Sequence, residues 1–581
     1  MAAKTVFVLA LLCVLQFANA CPNEDGSFCC AEGECSWLVG DTLFNSSTTD
    51  RMAADMKYAT GLAVVNNGNT AWMLASSALV MVMTPGLGMF YAGMAGAESS
   101  SNTLMMSMVS VAAITVHWVT VGYSFAFGPG NGFYGGGTWV ALTITGALPS
   151  AVYGGAIPHY AWIAFQCMFA QITPALISGS VVGRMKFSSY IVFILCWATV
   201  VYDMVAHWVW ALKLDDNGNI VPSGWLGNLG AIDFAGGTVI HITSGVAGLV
   251  CALILGKRWN SDEPLRPHNV PMCITGTSLL WFGWFGFNGG SAGAADGIAS
   301  VAFLNTHIAA STSFLTWLAV EWIIEGHPTA VGASAGAVVG LVAITPACGF
   351  VTPMAAIAIG VVGACVSFTF VQLKQKVFKF DDTLDAFSCH GVGGMVGAFL
   401  TGCFATPQIN PGGYGQYPLE FNPGFSFFYR GLAGGKYTDP VYWVTAPADF
   451  EGTIFEYYAS IDLKPDIMTQ GAFYGRGIAL GYQMAGICAG ILCSVIGTAS
   501  ILLILKYTIG IRVSNEKEKE GLDASIHGAE SYGGPATNIG FQVSKVPGFT
   551  KTETKVISVP VPPDSKVTVV KTETVVTESK S

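Results

Sequence analysis

The chain has 581 residues, of which 52% are apolar and only 11% charged, with 71 glycines and a formal net charge of −10. That balance lies outside the range of soluble globular proteins and places the chain among membrane proteins. The acidic excess argues against a nucleic-acid partner and says little else, because the acidic residues concentrate in loops and in the C-terminal tail.

At the start, Lys4, the apolar run Val6 to Phe17 and Ala18-Asn19-Ala20 read as a cleavable secretory signal over residues 1–20. The run is too short for a stable span, so Cys21 becomes the mature start; an uncleaved anchor is the alternative. Residues 21–70 form an extracellular prefix in which Cys21, Cys29, Cys30 and Cys35 cluster near the sequon Asn45-Ser46-Ser47. Once exported, these four cysteines have two disulfides open to them in any of three connectivities, and Asn45 is a glycosylation candidate.

Eleven apolar runs near the spanning length of about 20 residues follow. They lie at roughly 71–93, 104–127, 160–182, 188–210, 233–255, 270–290, 298–323, 330–347, 352–373, 385–405 and 475–506. A cleaved signal puts the N-terminus outside, and an odd number of spans then puts the C-terminus inside. Loop charge agrees: the predicted inner loops hold Arg184 and Lys186, then Lys257, Arg258 and Arg266, then Lys374, Lys376 and Lys379. The short outer loops hold little beyond Lys213. Residues 406–474 make a long outer loop rich in Gly, Pro and aromatics, whose internal structure the sequence does not reveal. Residues 529–581 are rich in Thr, Val, Lys and Pro, echo Lys551-Thr552-Glu553-Thr554 at Lys571-Thr572-Glu573-Thr574, and read as a disordered cytoplasmic tail.

Two imidazoles stand out. His241 and His390 lie in apolar, glycine-rich spans, and each follows an aspartate, Asp233 or Asp382, by the same spacing. An ionisable group at mid-bilayer costs about 2.5 kcal/mol or more by insertion scales for the charged types, so it needs a reason. If the first ten spans divide five and five, the histidines occupy matching fifth spans. Five is odd, so the halves are inverted, an arrangement that gathers a solute site near the midplane. The expected fold is therefore an all-α polytopic membrane protein of eleven transmembrane helices with a five-plus-five inverted repeat, N-terminus outside and C-terminus inside. The plain alternative is that each imidazole ties two helices together by a hydrogen bond. His117, His159, His207 and His307 have no matched counterpart and read as packing or interfacial groups. Asp233 has two compatible roles, capping free helix N–H groups and stabilising a cation at the outer mouth.

The segment Asp233-Phe234-Ala235-Gly236-Gly237-Thr238-Val239-Ile240-His241 carries a resemblance together with Gly283-Trp284-Phe285-Gly286-Phe287-Asn288-Gly289-Gly290-Ser291 and Thr345-Pro346-Ala347-Cys348-Gly349. With these motifs the chain resembles the ammonium transporter (Amt/Mep/Rh) family, on its Amt side. The resemblance places the membrane domain at 71–510 and a regulatory tail motif at 511–528. It implies a homotrimer with one pore per subunit, in the lipid bilayer of the plasma membrane, carrying ammonium or ammonia with no cofactor, no metal and no enzymatic reaction. Carried over, Phe169, Trp210 and Ser291 form an outer ammonium site with Asp233 nearby. Phe169 and Phe287 gate the pore, and His241 and His390 are its twin histidines. Either aromatic taken alone reads as an ordinary core or belt residue.

In that reading an apolar tube charges an ion of order 20 kcal/mol by an idealised Born estimate, which ammonium escapes by giving up a proton and potassium does not. Whether the proton crosses too separates electrogenic transport from an electroneutral ammonia channel; Trp210 beside both histidines favours the first. Ser525 falls near the family's regulatory threonine, making it a phosphorylation candidate for a cytoplasmic regulator or kinase, or else a plain surface serine. The rival class is an ammonium sensor signalling through its tail.

Overall fold

The computed structural model describes residues 65–410 apart from 144, 217–219, 262, 264, 265, 407 and 408, then 477–528, 531 and 532, with short strands at 28–29, 35–39, 42–45, 553–557 and 571–575. The signal segment, Cys21, Cys30 and most of the 406–474 loop lie outside the described residues.

Among the described residues, ten helices are long and apolar enough to cross a membrane: α1 Asn67–Met94, α2 Ala97–Phe127, α3 His159–Ser180, α4 Phe187–Trp210, α5 Gly237–Leu255, α6 Val270–Gly290, α7 Gly297–Glu325, α9 Pro353–Phe378, α10 Phe387–Phe404 and α11 Gly477–Thr508. Between α7 and α9 lies α8, Ala330–Ile344, apolar but only 15 residues long. The eighth expected run thus forms a helix that ends early, because Thr345-Pro346 diverts the chain into turns.

Polar caps fix several starts. The side chains of Asn66, Asn269, Asp296, Thr329 and Thr352 each accept a hydrogen bond from the backbone N–H three residues on, satisfying donors the helix leaves free. Asn66 accordingly begins α1 four residues before the expected apolar boundary, since Asn67-Gly68-Asn69-Thr70 supplies a polar first turn.

Packing within the membrane has no solvent-driven term and relies on close backbone approach. Along α1 and α6 that approach is glycine-mediated: a Cβ on Gly93 would lie 2.6 Å from Cys273 N, and one on Gly276 would lie 2.3 Å from Phe90 N.

π-helical turns interrupt the spans at Trp118–Gly122, Ala198–Tyr202, Gly237–Ile242, Lys374–Phe378 and Phe387–Val392. Two of these contain His241 and His390, where uninterrupted helix was expected. Such a turn widens the helix and re-aims its side chains.

The segment after α11 folds back onto the body. Val513 N donates to Arg184 O and Lys186 N to Ile511 O, both at 3.0 Å. Arg512 donates to the carbonyls of Leu255 and Lys257 and pairs with Glu518, which also accepts Trp259 N. Asp523 caps the start of α2 by accepting Ser101 N at 2.9 Å and Asn102 N at 2.7 Å.

In the prefix, Phe28–Cys29, Cys35–Val39 and Thr42–Asn45 form an antiparallel sheet whose register sets Cys29 opposite Cys35. Residues 532–581 are a separate unit, in which Glu553–Ile557 pairs antiparallel with Lys571–Val575. That ladder falls where the sequence reading expects disorder. The repeated Lys-Thr-Glu-Thr stretches are threonine-rich and followed by valine or isoleucine, and thereby have strand propensity.

Candidate functional site

α5 and α10 cross where both are stripped to glycine. A Cβ on Gly245 would lie 2.1 Å from Gly391 N, and one on Gly394 would lie 2.9 Å from Gly237 O. Gly237 and Gly245 stand one helical turn to either side of His241, and Gly394 one turn beyond His390. The crossing brings the two imidazoles together, with Nδ1 to Nδ1 at 3.3 Å and ring centroids 5.4 Å apart.

Two Nδ1 atoms at that distance need one donor and one acceptor, so at most one of the rings carries both protons. The bond ties α5 to α10, so the helix-tying role and a role in handling a solute are both compatible with this geometry. His241 Nε2 is buried without a hydrogen-bond partner among the described residues. Its ring stacks on Trp284 at 5.4 Å and 19°, and Trp284 is itself held by an indole bond to Thr345 Oγ1 at 2.9 Å.

Both histidines line a cavity walled by Met83, Leu87, Ile172, Leu176, Leu280 and Val338. It measures about 10 Å³, room for one water-sized molecule. Phe287 also lines it and stacks on Phe169 with centroids 4.2 Å apart and planes at 14°.

Beyond that pair, Phe169 meets Trp210 edge-on at 6.3 Å and 80°. The Trp210 indole N–H is spent on Asp233 O at 2.8 Å, which fixes the ring. Ser291 Oγ donates to Phe287 O at 2.8 Å, so its lone pairs remain to accept. All three residues are buried.

The Asp233 carboxylate turns away from this cluster. Oδ1 accepts Gly236 N and Gly237 N at 2.8 and 2.7 Å, and Oδ2 accepts Thr238 N and Val239 N at 2.7 and 3.1 Å. It caps the first turn of α5 and reaches the aromatic site only through its backbone carbonyl. The carboxylate of Asp382, its counterpart by spacing, accepts Phe387 N through Oδ2 at 2.8 Å, and its Oδ1 has no partner among the described residues. Equal spacing therefore conceals unequal capping.

Ser525 Oγ donates to Gly521 O at 2.6 Å, just beyond the Asp523 cap on α2. His207 Nδ1 lies 3.0 Å from Ala126 O and Nε2 2.7 Å from Asn131 O, and a neutral ring donates to one of these carbonyls. His117 differs from expectation: it faces Asp203, a buried acid that the sequence reading passed over. The available signal was an aspartate inside the run Tyr202-Asp203-Met204-Val205-Ala206.

Ten apolar spans among the described residues, with a histidine-lined cavity between some of them, define a multi-pass membrane protein. The profile of the Ammonium Transporter Family matches residues 71–532, and the chain belongs to that family. It is 40% identical over 465 residues to the "Ammonium transporter" of Bacillus subtilis, covering 80% of this chain and 98% of the relative. It is 43% identical over 474 residues to the "Ammonium transporter" of Aquifex aeolicus, covering 81% and 94%. Among solved structures it is similar to Saccharomyces cerevisiae Mep2, with TM-score 0.62, 33% identity and 78% and 91% coverage. A "Sensor Amt Protein" matches with TM-score 0.63, 25% identity and 79% and 98% coverage.

Proposed function

We propose that this protein moves ammonium across the plasma membrane by recruiting the cation at Phe169, Trp210 and Ser291, removing a proton, and passing ammonia between His241 and His390, with the proton transferred as well. The observation that carries the reading is the imidazole pair at 3.3 Å in an apolar cavity behind stacked Phe169 and Phe287. The fold that goes with it is eleven spans in two inverted halves of five plus a last helix, N-terminus outside, C-terminus inside, assembled as a homotrimer.

Recruitment is shallow. Aromatic faces attract a desolvated cation by about 0.5–2 kcal/mol each, and Ser291 Oγ accepts an N–H from it. Rotation of Phe287 away from Phe169 opens the way inward. A bare cation does not follow, because the cavity offers nothing to offset an idealised desolvation cost of order 20 kcal/mol. Ammonia does, donating to one ring nitrogen while accepting from another. The imidazole pair has one donor and one acceptor in place between its members, so a proton can pass along it by tautomer exchange. Asp233 contributes by fixing the start of α5 and, through its carbonyl, the Trp210 ring.

The tail motif at 511–528 is the regulatory element of this reading. Phosphate on Ser525 adds about −1.5 to −2 charges beside the Asp523 cap and releases the tail from α2.

The test uses purified protein in liposomes, recording membrane current and internal pH after an ammonium or potassium jump, in wild type and in His241→Ala and His390→Ala. Current with ammonium and none with potassium, reduced in both variants, is the expected result. Alkalinisation without current would instead indicate an electroneutral ammonia channel. Absence of both signals would favour ammonium sensing through the tail; one structural relative is named "Sensor Amt Protein".

A further inference from the structure

The paired histidines are not the only buried imidazole with a chemically active neighbour. His117 is the last residue before the π-turn of α2, and Asp203 is the first after the π-turn of α4; His117 Nε2 lies 3.6 Å from Asp203 Oδ2. The Asp203 side chain is 0% exposed and that of His117 7%. Thr199 Oγ1 also sits 2.8 Å from His117 Nε2, whereas His117 Nδ1 and both Asp203 oxygens have no hydrogen-bond partner among the described residues.

The elements packed around the pair carry the following polar groups. α4 itself adds Thr199 and the buried Tyr202 phenol, α3 adds Cys167, whose thiol donates to Thr115 of α2, and α11 adds Cys493 against Val200 O. Among the described residues, the ion pairs of arginine and lysine lie elsewhere, at Arg258–Asp381, Lys374–Asp385 and Arg512–Glu518. Among the described residues, the one basic side chain paired with Asp203 is therefore His117.

Two features mark this as a built site. Both residues adjoin π-turns, a distortion common where a helix aims a side chain at a task. Gly122 clears the space for the ring, since a Cβ there would lie 2.7 Å from His117 Cε1 and 2.8 Å from Nδ1. Neither His117 nor Asp203 lines the cavity between His241 and His390.

A buried carboxylate with no donor, beside a neutral imidazole, is strongly disfavoured. One added hydrogen ion removes the imbalance in either of two forms, as a carboxylic acid beside a neutral ring or as a carboxylate facing an imidazolium. The proton count is the same in both. We infer that His117 and Asp203 form a second proton-binding site in the helix wall, outside the pore, holding one exchangeable hydrogen ion in the resting protein. Loading takes that ion from water and makes one O–H or N–H bond; release breaks the same bond and leaves one negative charge behind.

Infrared spectra of the full-length protein in lipid vesicles at neutral pH, without ammonium, with and without ¹⁵N-labelled histidine, test this. The expected result is a carboxylic-acid or imidazolium band that shifts on exchange into D₂O. That band is lost in Asp203→Asn and retained in His241→Ala and His390→Ala. Should Asp203→Asn fail to reach the membrane, His117→Gln, which keeps a hydrogen-bonding group near Thr199, must move the same band. A wild-type spectrum with no band dependent on either residue, or with a band that does not exchange, overturns the proposal. No ammonium is present, so that outcome leaves the pore reading untouched.

Discussion

Replacing Gly245 with alanine is expected to disable transport while leaving the protein assembled in the membrane. The new Cβ would stand 2.1 Å from Gly391 N and 2.5 Å from Gly391 Cα, both backbone atoms that cannot rotate aside. Restoring ordinary contact at 3.4 Å requires α5 and α10 to part by about 1.3 Å. If the separation passes fully to the rings, the Nδ1 to Nδ1 distance grows from 3.3 Å to about 4.6 Å, beyond hydrogen bonding. Overpacking of this kind costs about 1–3 kcal/mol in stability, and an ångström of misplacement at a reacting pair costs roughly 10²-fold in rate. Ammonium-driven current in liposomes reports the second effect and thermal unfolding in detergent the first. Gly481→Ala is the control, because a Cβ there meets nothing within 4 Å; its expected effect is neutral or stabilising by up to about 1 kcal/mol. Wild-type current and unfolding temperature in Gly245→Ala would refute the argument that the glycine crossing holds the imidazoles together.

Trp210→Leu removes the ring edge facing Phe169 and the indole bond to Asp233 O, so half-saturation by ammonium should rise about 10-fold, equal to about 1.4 kcal/mol of lost attraction, in concentration-dependent current. Ser525→Asp should lower current severalfold without lowering the amount in the membrane, and unchanged current would exclude the tail mechanism. Burial tends to raise the Asp381 carboxyl, but the Arg258 guanidinium, donating at 2.9 Å from Nε, holds it below the usual carboxylate range. A lowered folded value means that this stabilisation is present above the unfolded pKa of about 3.9 and is lost as pH falls through the folded one. The difference in unfolding temperature between wild type and Asp381→Asn should therefore be steady near neutrality and shrink only below about pH 4.

Composition and hydropathy read the spans well because a bilayer demands long apolar runs and leaves few ways to satisfy a backbone inside them. The histidine pair was legible for the same reason, as a costly residue recurring at a fixed distance from an aspartate. What could not be read was how the helices depart from regularity. A π-turn at Gly237–Ile242 or Phe387–Val392 leaves no periodic trace in a segment that is apolar on every side. Unequal caps at Asp233 and Asp382 depend on which N–H groups the folded turn presents, which spacing alone does not encode. His117 and Asp203 were visible as residues but lie 86 positions apart, and only the packing of α2 on α4 makes them neighbours.

Arginine contacts make the tail and the histidine pair one structural problem. Arg512 grips the Leu255 carbonyl, the last of α5, so the tail holds the end of the helix that carries His241. Arg258, three residues further on, holds Asp381 just ahead of α10, the helix that carries His390. Arg184, buried between them, donates to Gly256 O at 3.0 Å and to Thr383 Oγ1 at 2.7 Å, linking the same two ends again. The glycine crossing sets how near the imidazoles come, while these arginines set where the two helices end. A pair of rings that must keep 3.3 Å between nitrogens tolerates little sliding of either helix along its axis. Losing Asp381 or displacing the tail therefore acts on the spacing of the histidines through helix position, with no contact to either ring.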